Sequence, residues 1–191
     1  MRKIKRAILC LTVCVLALSF SACGKENKSN NNEAMYGETV GSLEDNELFA
    51  IIETGASSPV LLVTSQVYDD GLGNQAALNC DVYYATGGEV KYIGTIESFG
   101  TAYPISYDKT GIYAASGHEV QRFGINEKDG SLVLEEGVYE IIDENGNSTY
   151  SREKGNKTEA ITEEEYLLIV EQCGKATVVN FGYGASGKYA R

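Results

Sequence analysis

AALNCDVYYATGGEVKYIGTIE, residues 76–97, holds two runs rich in β-branched and aromatic residues on either side of Gly87-Gly88. In the first run Ala76, Leu78, Cys80, Val82 and Tyr84 fall on one face of an extended chain, and Ala77, Asn79, Asp81 and Tyr83 on the other. That period of two marks a strand, and the first face is the core face. Glycines supply the positive φ of a tight turn, so Glu89 to Glu97 is predicted to return antiparallel to its neighbour.

Working outward, Leu48 to Glu53 and Val60 to Tyr68 read as strands bounded by Gly, Ser, Pro and the Asp69 to Asn74 loop. Thr101 to Tyr107, Gly111 to Ala115, Glu119 to Ile125, Leu132 to Glu135 and Gly137 to Asp143 follow, with DKTG, KDG and NG as turns. The pattern predicts a mainly β protein, an antiparallel meander arranged as a sandwich, barrel or partial propeller. One segment departs from it. Thr162 stands three residues before Glu165, a capping box, and Tyr166, Leu167, Ile169, Val170 and Cys173 share one helical face. A C-terminal amphipathic helix stopping at Gly174 is expected, then a last strand from Ala176 to Tyr183 and a frayed GASGKYAR.

The first residues carry an address. Arg2, Lys3, Lys5 and Arg6 precede an uncharged run from Ala7 to Phe20 and small residues before Cys23, the layout of a secretory signal peptide. Fourteen apolar residues fall short of the roughly 20 that span a bilayer as a helix. Phe20, Ser21, Ala22 and Cys23 resemble the lipobox of bacterial lipoproteins, which implies lipid on Cys23 as the mature N-terminus. Several acyl chains on one cysteine anchor stably where a single chain does so marginally. The expected organisation is a signal peptide over 1–22, the lipidated cysteine and a flexible tether over 23–46, and one β-rich domain over 47–191. The tether expectation rests on GKENKSNNNEAMYGETVGSLEDN, almost devoid of large apolar residues.

The segment ISYDKTGIYAASGHEVQRFGINEKDG resembles the repeating hairpins of extracytoplasmic propeller blades; Asp81 to Ile96 echoes Glu119 to Glu135 at a blade-like offset, but two such units cannot close a ring of at least four blades, and regular hairpin spacing accounts for the echo. From lipobox to terminal helix and strand, the chain resembles uncharacterised lipoproteins of Gram-positive bacteria. That resemblance implies an all-β extracytoplasmic domain on the outer face of the cell membrane, and names no catalytic residue.

Loss of the signal leaves twelve of sixteen basic residues against all twenty-seven acidic ones, a net charge of −15. Such a surface repels nucleic acid and leaves envelope proteins, neutral glycans and cations as partners. Cys80 and Cys173 are the cysteines left in the folded part, either as a disulfide or as two buried thiols.

Candidate chemistry is sparse. His118 is the single histidine, and Arg122 stands where HExxH needs its second one, so that zinc motif is excluded. No GxSxG elbow occurs. Asp69, Asp70 and Asn74 in one glycine-rich loop could offer oxygen ligands to calcium, the only cofactor with a candidate site. Tyr83, Tyr92, Tyr103, Tyr107 and Tyr113 could form an aromatic patch for a sugar or peptide. Asp69, Asp70, Asp81, Glu97 and Asp108 are carboxylates from which a glycosidase-like pair would have to be drawn. The expectation is a noncatalytic binding or accessory module of the envelope, with a hydrolase using a carboxylate pair as the alternative.

Overall fold

Central strands in the structure are buried on both faces, and the order of layers follows from that. The computed structural model describes residues 28–182. Cys23 and residues 183–191 lie outside them. In chain order the elements are α1 (Lys28–Gly41), β1 (Leu48–Ile52), β2 (Val60–Thr64), β3 (Tyr68–Asp69), β4 (Gln75–Ala76), β5 (Asn79–Thr86), β6 (Glu89–Glu97), β7 (Ser106–Asp108), β8 (Gly111–Ala115), β9 (Glu119–Asn126), β10 (Ser131–Ile142), β11 (Ser148–Lys154), β12 (Lys157–Ile161), α2 (Glu163–Lys175) and β13 (Thr177–Val178).

The protein is mainly β and antiparallel. A four-stranded sheet is ordered β1-β2-β5-β6, a seven-stranded one β12-β11-β10-β9-β8-β7-β13, and β3-β4 form a small hairpin. Val60, Leu62, Cys80, Val82, Tyr84 and Ile96 of the small sheet meet Ile112, Ala114, Phe123 and Leu132 of the large one in a shared core. Of the three expected architectures this is the sandwich. The alternate residues serve the outer layers. Leu61 and Val63 pack under Tyr36 and Val40 of α1, while Tyr113, Ala115, Val120 and Val138 pack under Tyr166, Ile169 and Val170 of α2. Because β2 and β8 each feed two cores, they read as the continuous apolar runs VLLVT and GIYAA. The order is therefore helix, sheet, sheet, helix. The two echoing hairpins, β5-β6 and β9-β10, belong to different sheets.

Several expectations are corrected. Part of the predicted tether is helical, because Tyr36 is fully buried and fixed: its hydroxyl donates to the Pro59 carbonyl at 2.5 Å and accepts the Ala85 N–H at 3.3 Å. Leu132–Glu135 and Gly137–Asp143 are one strand, β10, with a bulge between Leu134 and Glu136. The β11-β12 hairpin was not foreseen, since STYSREKGNKTEAI has few apolar residues and is held by its pairing with β10. Helix α2 passes Gly174 to end at Lys175, capped as predicted by Thr162 and Glu165, and Leu167 is 49 % exposed because that face of the helix looks outward.

The last segment joins the two sheets. Beyond β13 the Val179 N–H donates to Ile105 O and the Phe181 N–H to Gln75 O, and Gly182 bridges Phe49 on the edge of the small sheet. Expected strand residues 101–105 are mostly turn, and β7 begins only at Ser106. Gly111 at the start of β8 has φ +153, and a Cβ there would run into the backbone carbonyl of Phe123 on the paired strand. Gly111→Ala is expected to cost about 2–4 kcal/mol, read as a lower urea midpoint with unchanged slope.

Candidate functional site: an apolar cleft at one end of the sandwich

Three loops and one helix meet where the sandwich opens. The β3-β4 loop supplies Asp70 and Leu72, the segment after β6 supplies Thr101 to Pro104, the turn after β8 supplies Ser116 and Gly117, and α2 supplies Tyr166, Val170 and Cys173. They enclose a cleft of about 460 Å³ floored by Ala115 and Val120. That size and largely apolar lining suit a small ligand or a side chain of a partner.

Each wall has a local cause. Asp70 Oδ1 accepts the N–H groups of Leu72 at 2.8 Å and Asn74 at 3.0 Å, and its Oδ2 accepts the Asn74 amide at 2.6 Å. The Asn74 amide, then its backbone N–H, hold the Asp70 carboxyl below the usual range. This Asx turn, between glycines at φ +77 and +97, leaves Leu72 86 % exposed at the rim. The Tyr68 hydroxyl donates to Thr101 O at 2.9 Å and ties that loop to the next. Ser98 Oγ accepts the Ala115 N–H at 3.0 Å and fixes the floor. Burial pushes the Cys173 thiol up against an opposing hydrogen bond from nearly buried Ser106, so it lines the cleft as an apolar group.

The predicted site residues scatter. Tyr83 and Tyr92 pair across β5 and β6 on the outer face of the small sheet, ring centroids 5.7 Å apart. Tyr107 packs at the margin of the inter-sheet core. Tyr113 is fully buried under α2, its hydroxyl 2.8 Å from Thr110 Oγ1 and donating to Asp108 at 3.2 Å, and burial pushes it up to about 12. Tyr103 alone of the five reaches the cleft. The expected single aromatic patch is thus four separate places, because the tyrosines sit on different sheets and on opposite faces.

The calcium expectation meets a loop that satisfies itself. Asp69 accepts the Gly71 N–H at 2.8 Å, Asp70 is occupied as described, and Asn74 serves as a donor. Asp143 and Asn147 repeat the same turn in the β10-β11 hairpin. Among the described residues no three His, Cys, Asp or Glu side chains are grouped to hold a metal ion. Cys80 and Cys173 are both free, Cys80 in the core between the sheets and Cys173 on the far side of the large sheet, so of the two alternatives the structure has separate thiols and not the disulfide.

No reacting constellation assembles around the remaining candidates. His118 Nδ1 lies 2.9 Å from Glu140 Oε2, and Ser148 Oγ donates to Oε1 of the same carboxylate at 2.6 Å. Ser148, then His118, hold Glu140 below the usual carboxylate range. Among the described residues no serine hydroxyl hydrogen-bonds the imidazole ring, which a serine nucleophile would require. Asp81 accepts the Thr95 hydroxyl, and Asp108 serves Thr110 and Tyr113. Glu127 and Glu135 share a shallow depression of about 230 Å³. The Ser57 hydroxyl and N–H hold Glu127 below its usual range, and Glu135 is paired with Arg122. A glycosidase acid needs a shift the other way.

Sequence reasoning missed Leu72, Ser106, Ser116 and Val170. The signal for Leu72 was present in GLG, a large apolar residue between two turn glycines. The others become a site only through the packing of α2 across β8 and β9. Compared with known proteins, the chain matches no family model, no curated protein and no solved structure.

Proposed function

We propose that this chain is a lipid-anchored binding or accessory module of the cell envelope, acting on the extracytoplasmic side of the membrane through the cleft between α2 and the β3-β4 loop. The cleft is the observation that carries the reading: its walls are apolar, its polar groups are hydroxyls such as Ser106, Ser116 and Tyr103, and Asp70, the carboxylate at its rim, is already engaged by its own loop. Such a lining suits a neutral, partly apolar group of an envelope protein or glycan. The anchor rests on the signal-like N-terminus and the lipobox-like residues before Cys23. Among the described residues no helix is long and apolar enough to cross a membrane.

Residues 24–191 are tested by thermal unfolding against a panel of envelope glycans and peptides. A ligand at a hundredfold its Kd adds about 2.7 kcal/mol. Gly117→Trp is the discriminating variant. Among the described residues a Cβ at Gly117 comes near only the Tyr103 hydroxyl, at 4.0 Å, so the backbone there has room for a side chain, and the indole is expected to occupy the cleft. The variant is expected to keep the melting temperature and abolish the ligand shift; an undiminished shift places the ligand elsewhere. The hydrolase alternative predicts turnover of a glycan by the unmodified protein, which the binding reading does not.

A further inference from the structure

We infer that the cleft opens away from the bilayer, so that its ligand comes from the envelope space and not from the lipid. This rests on the lipid-anchor reading above and adds an orientation to it.

Helix α1 shortens the chain between anchor and domain to residues 24–27. Five Cα steps from Cys23 to Lys28 reach at most about 17 Å. The helix also has a direction on the small sheet. Tyr36 is tied to Pro59 and Ala85, where β2 begins and β5 ends beside the Gly87-Gly88 turn. The chain leaving α1 enters β1 at Leu48, opposite Thr64, at the other end of that sheet. Lys28 lies eight residues before Tyr36, about 12 Å back along the helix on the side away from the chain's exit toward β1.

The cleft is at the opposite end. Its loops leave from Thr64, Glu97 and Ala115, and they are tied to the two residues just before β5 by the Ser98 N–H to Leu78 O and the Ile105 N–H to Ala77 O. It is also on the other face, under α2 and beyond the large sheet. The length of β5 alone separates the two ends by about 25 Å, and the two stacked sheets add about 10 Å in depth. Turning the cleft onto the membrane would lift Lys28 further from it than residues 24–27 can reach. An acyl chain, otherwise a natural occupant of an apolar cleft, is thereby displaced by a partner reached from outside the bilayer.

The test uses the full lipidated protein in zwitterionic phosphocholine vesicles carrying a headgroup quencher. In a Cys173→Ser background, a fluorophore is placed at Glu89→Cys, beside the turn, or at Leu72→Cys, on the cleft rim. Quenching at position 89 is expected to be several-fold that at position 72, and a long Gly-Ser insertion before Lys28 is expected to erase the difference. Equal or stronger quenching at position 72 in vesicle-bound protein overturns the orientation while leaving the anchor standing. Protein that stays in the aqueous phase with Cys23 intact overturns the anchor, and the orientation with it.

Discussion

Glu136→Ala is expected to lower unfolding free energy by about 3–5 kcal/mol, one of the two largest single-residue effects in this domain. Glu136 is 8 % exposed and lies between two arginines, its Oε2 accepting from Arg122 at 3.2 Å and its Oε1 lying 3.1 Å from Arg152 Nε. Among the described residues that Nε finds no hydrogen-bond partner, so the contact is ionic attraction alone. Arg152 reaches on toward Glu159 and Glu165, and Arg122 also binds Glu135 and the Thr110 carbonyl. Successive residues of a regular strand point to opposite faces, so Glu135 and Glu136 can both reach Arg122 only because the bulge at Leu134/Glu136 breaks the alternation. Removing Glu136 takes the shared carboxylate from two largely covered guanidinium groups, leaving Arg122 to Glu135 and Arg152 to the longer contacts with Glu159 and Glu165. Urea unfolding of Glu136→Ala and Glu136→Gln checks this. A loss below about 1 kcal/mol in both would show that the network behaves as a surface ion pair. The triple replacement Arg122→Met, Glu136→Leu, Arg152→Met is expected to recover most of the loss, since apolar groups remove the charges together with their desolvation cost.

Tyr36→Ala is expected to cost about 3–5 kcal/mol, the range for deleting a fully buried aromatic side chain. The residue is 0 % exposed, sits with Leu61 and Val63, and burial pushes its phenol up to about 12. Tyr36→Phe is expected to cost about 1–3 kcal/mol, because it leaves the Ala85 N–H and the Pro59 carbonyl without a partner at a covered site. The pair separates packing from hydrogen bonding. It also tests the boundary of the domain, because a flexible tether over the same residues would make both variants neutral. If neither moves the melting temperature, α1 does not hold the small sheet.

How legible the fold was depended on where each strand sits. From Cys80 on, Cys80, Val82 and Tyr84 are buried in alternation as the spacing predicted, and β6 has the bounds read from the sequence, whereas before β5 the phase slips: Ala77, expected on the other face, is fully buried and Leu78 only half-buried. The capping box of α2 is likewise local: Thr162 and Glu165 satisfy each other's backbone within one turn. The edge strand β12 and its neighbour β11 were not legible. β11 owes its form to hydrogen bonds with β10 and β12 to hydrogen bonds with β11, and their side chains carry little apolar pattern. Helix α1 was hidden for a related reason: KSNNNEAMYGETVG has few large apolar residues, and Tyr36 is the one that anchors it. A composition rule averages that residue away, whereas the pocket formed by Pro59, Leu61 and Ala85 selects it.

By itself, the sequence determined the antiparallel β character, the helix near the C-terminus and the self-contained turns at Asp70 and Asp143. Each of these arises from interactions within a few residues, where spacing and side-chain chemistry suffice. Only the tertiary structure decided that the strands split into two stacked sheets with a helix on each outer face. It alone brought Leu72, Tyr103, Ser116 and Val170 to one cleft, dispersed the other four tyrosines, and placed Cys80 and Cys173 in different cores. Those outcomes depend on which faces meet across the sandwich, and residues far apart along the chain carry no local mark of the neighbours they acquire.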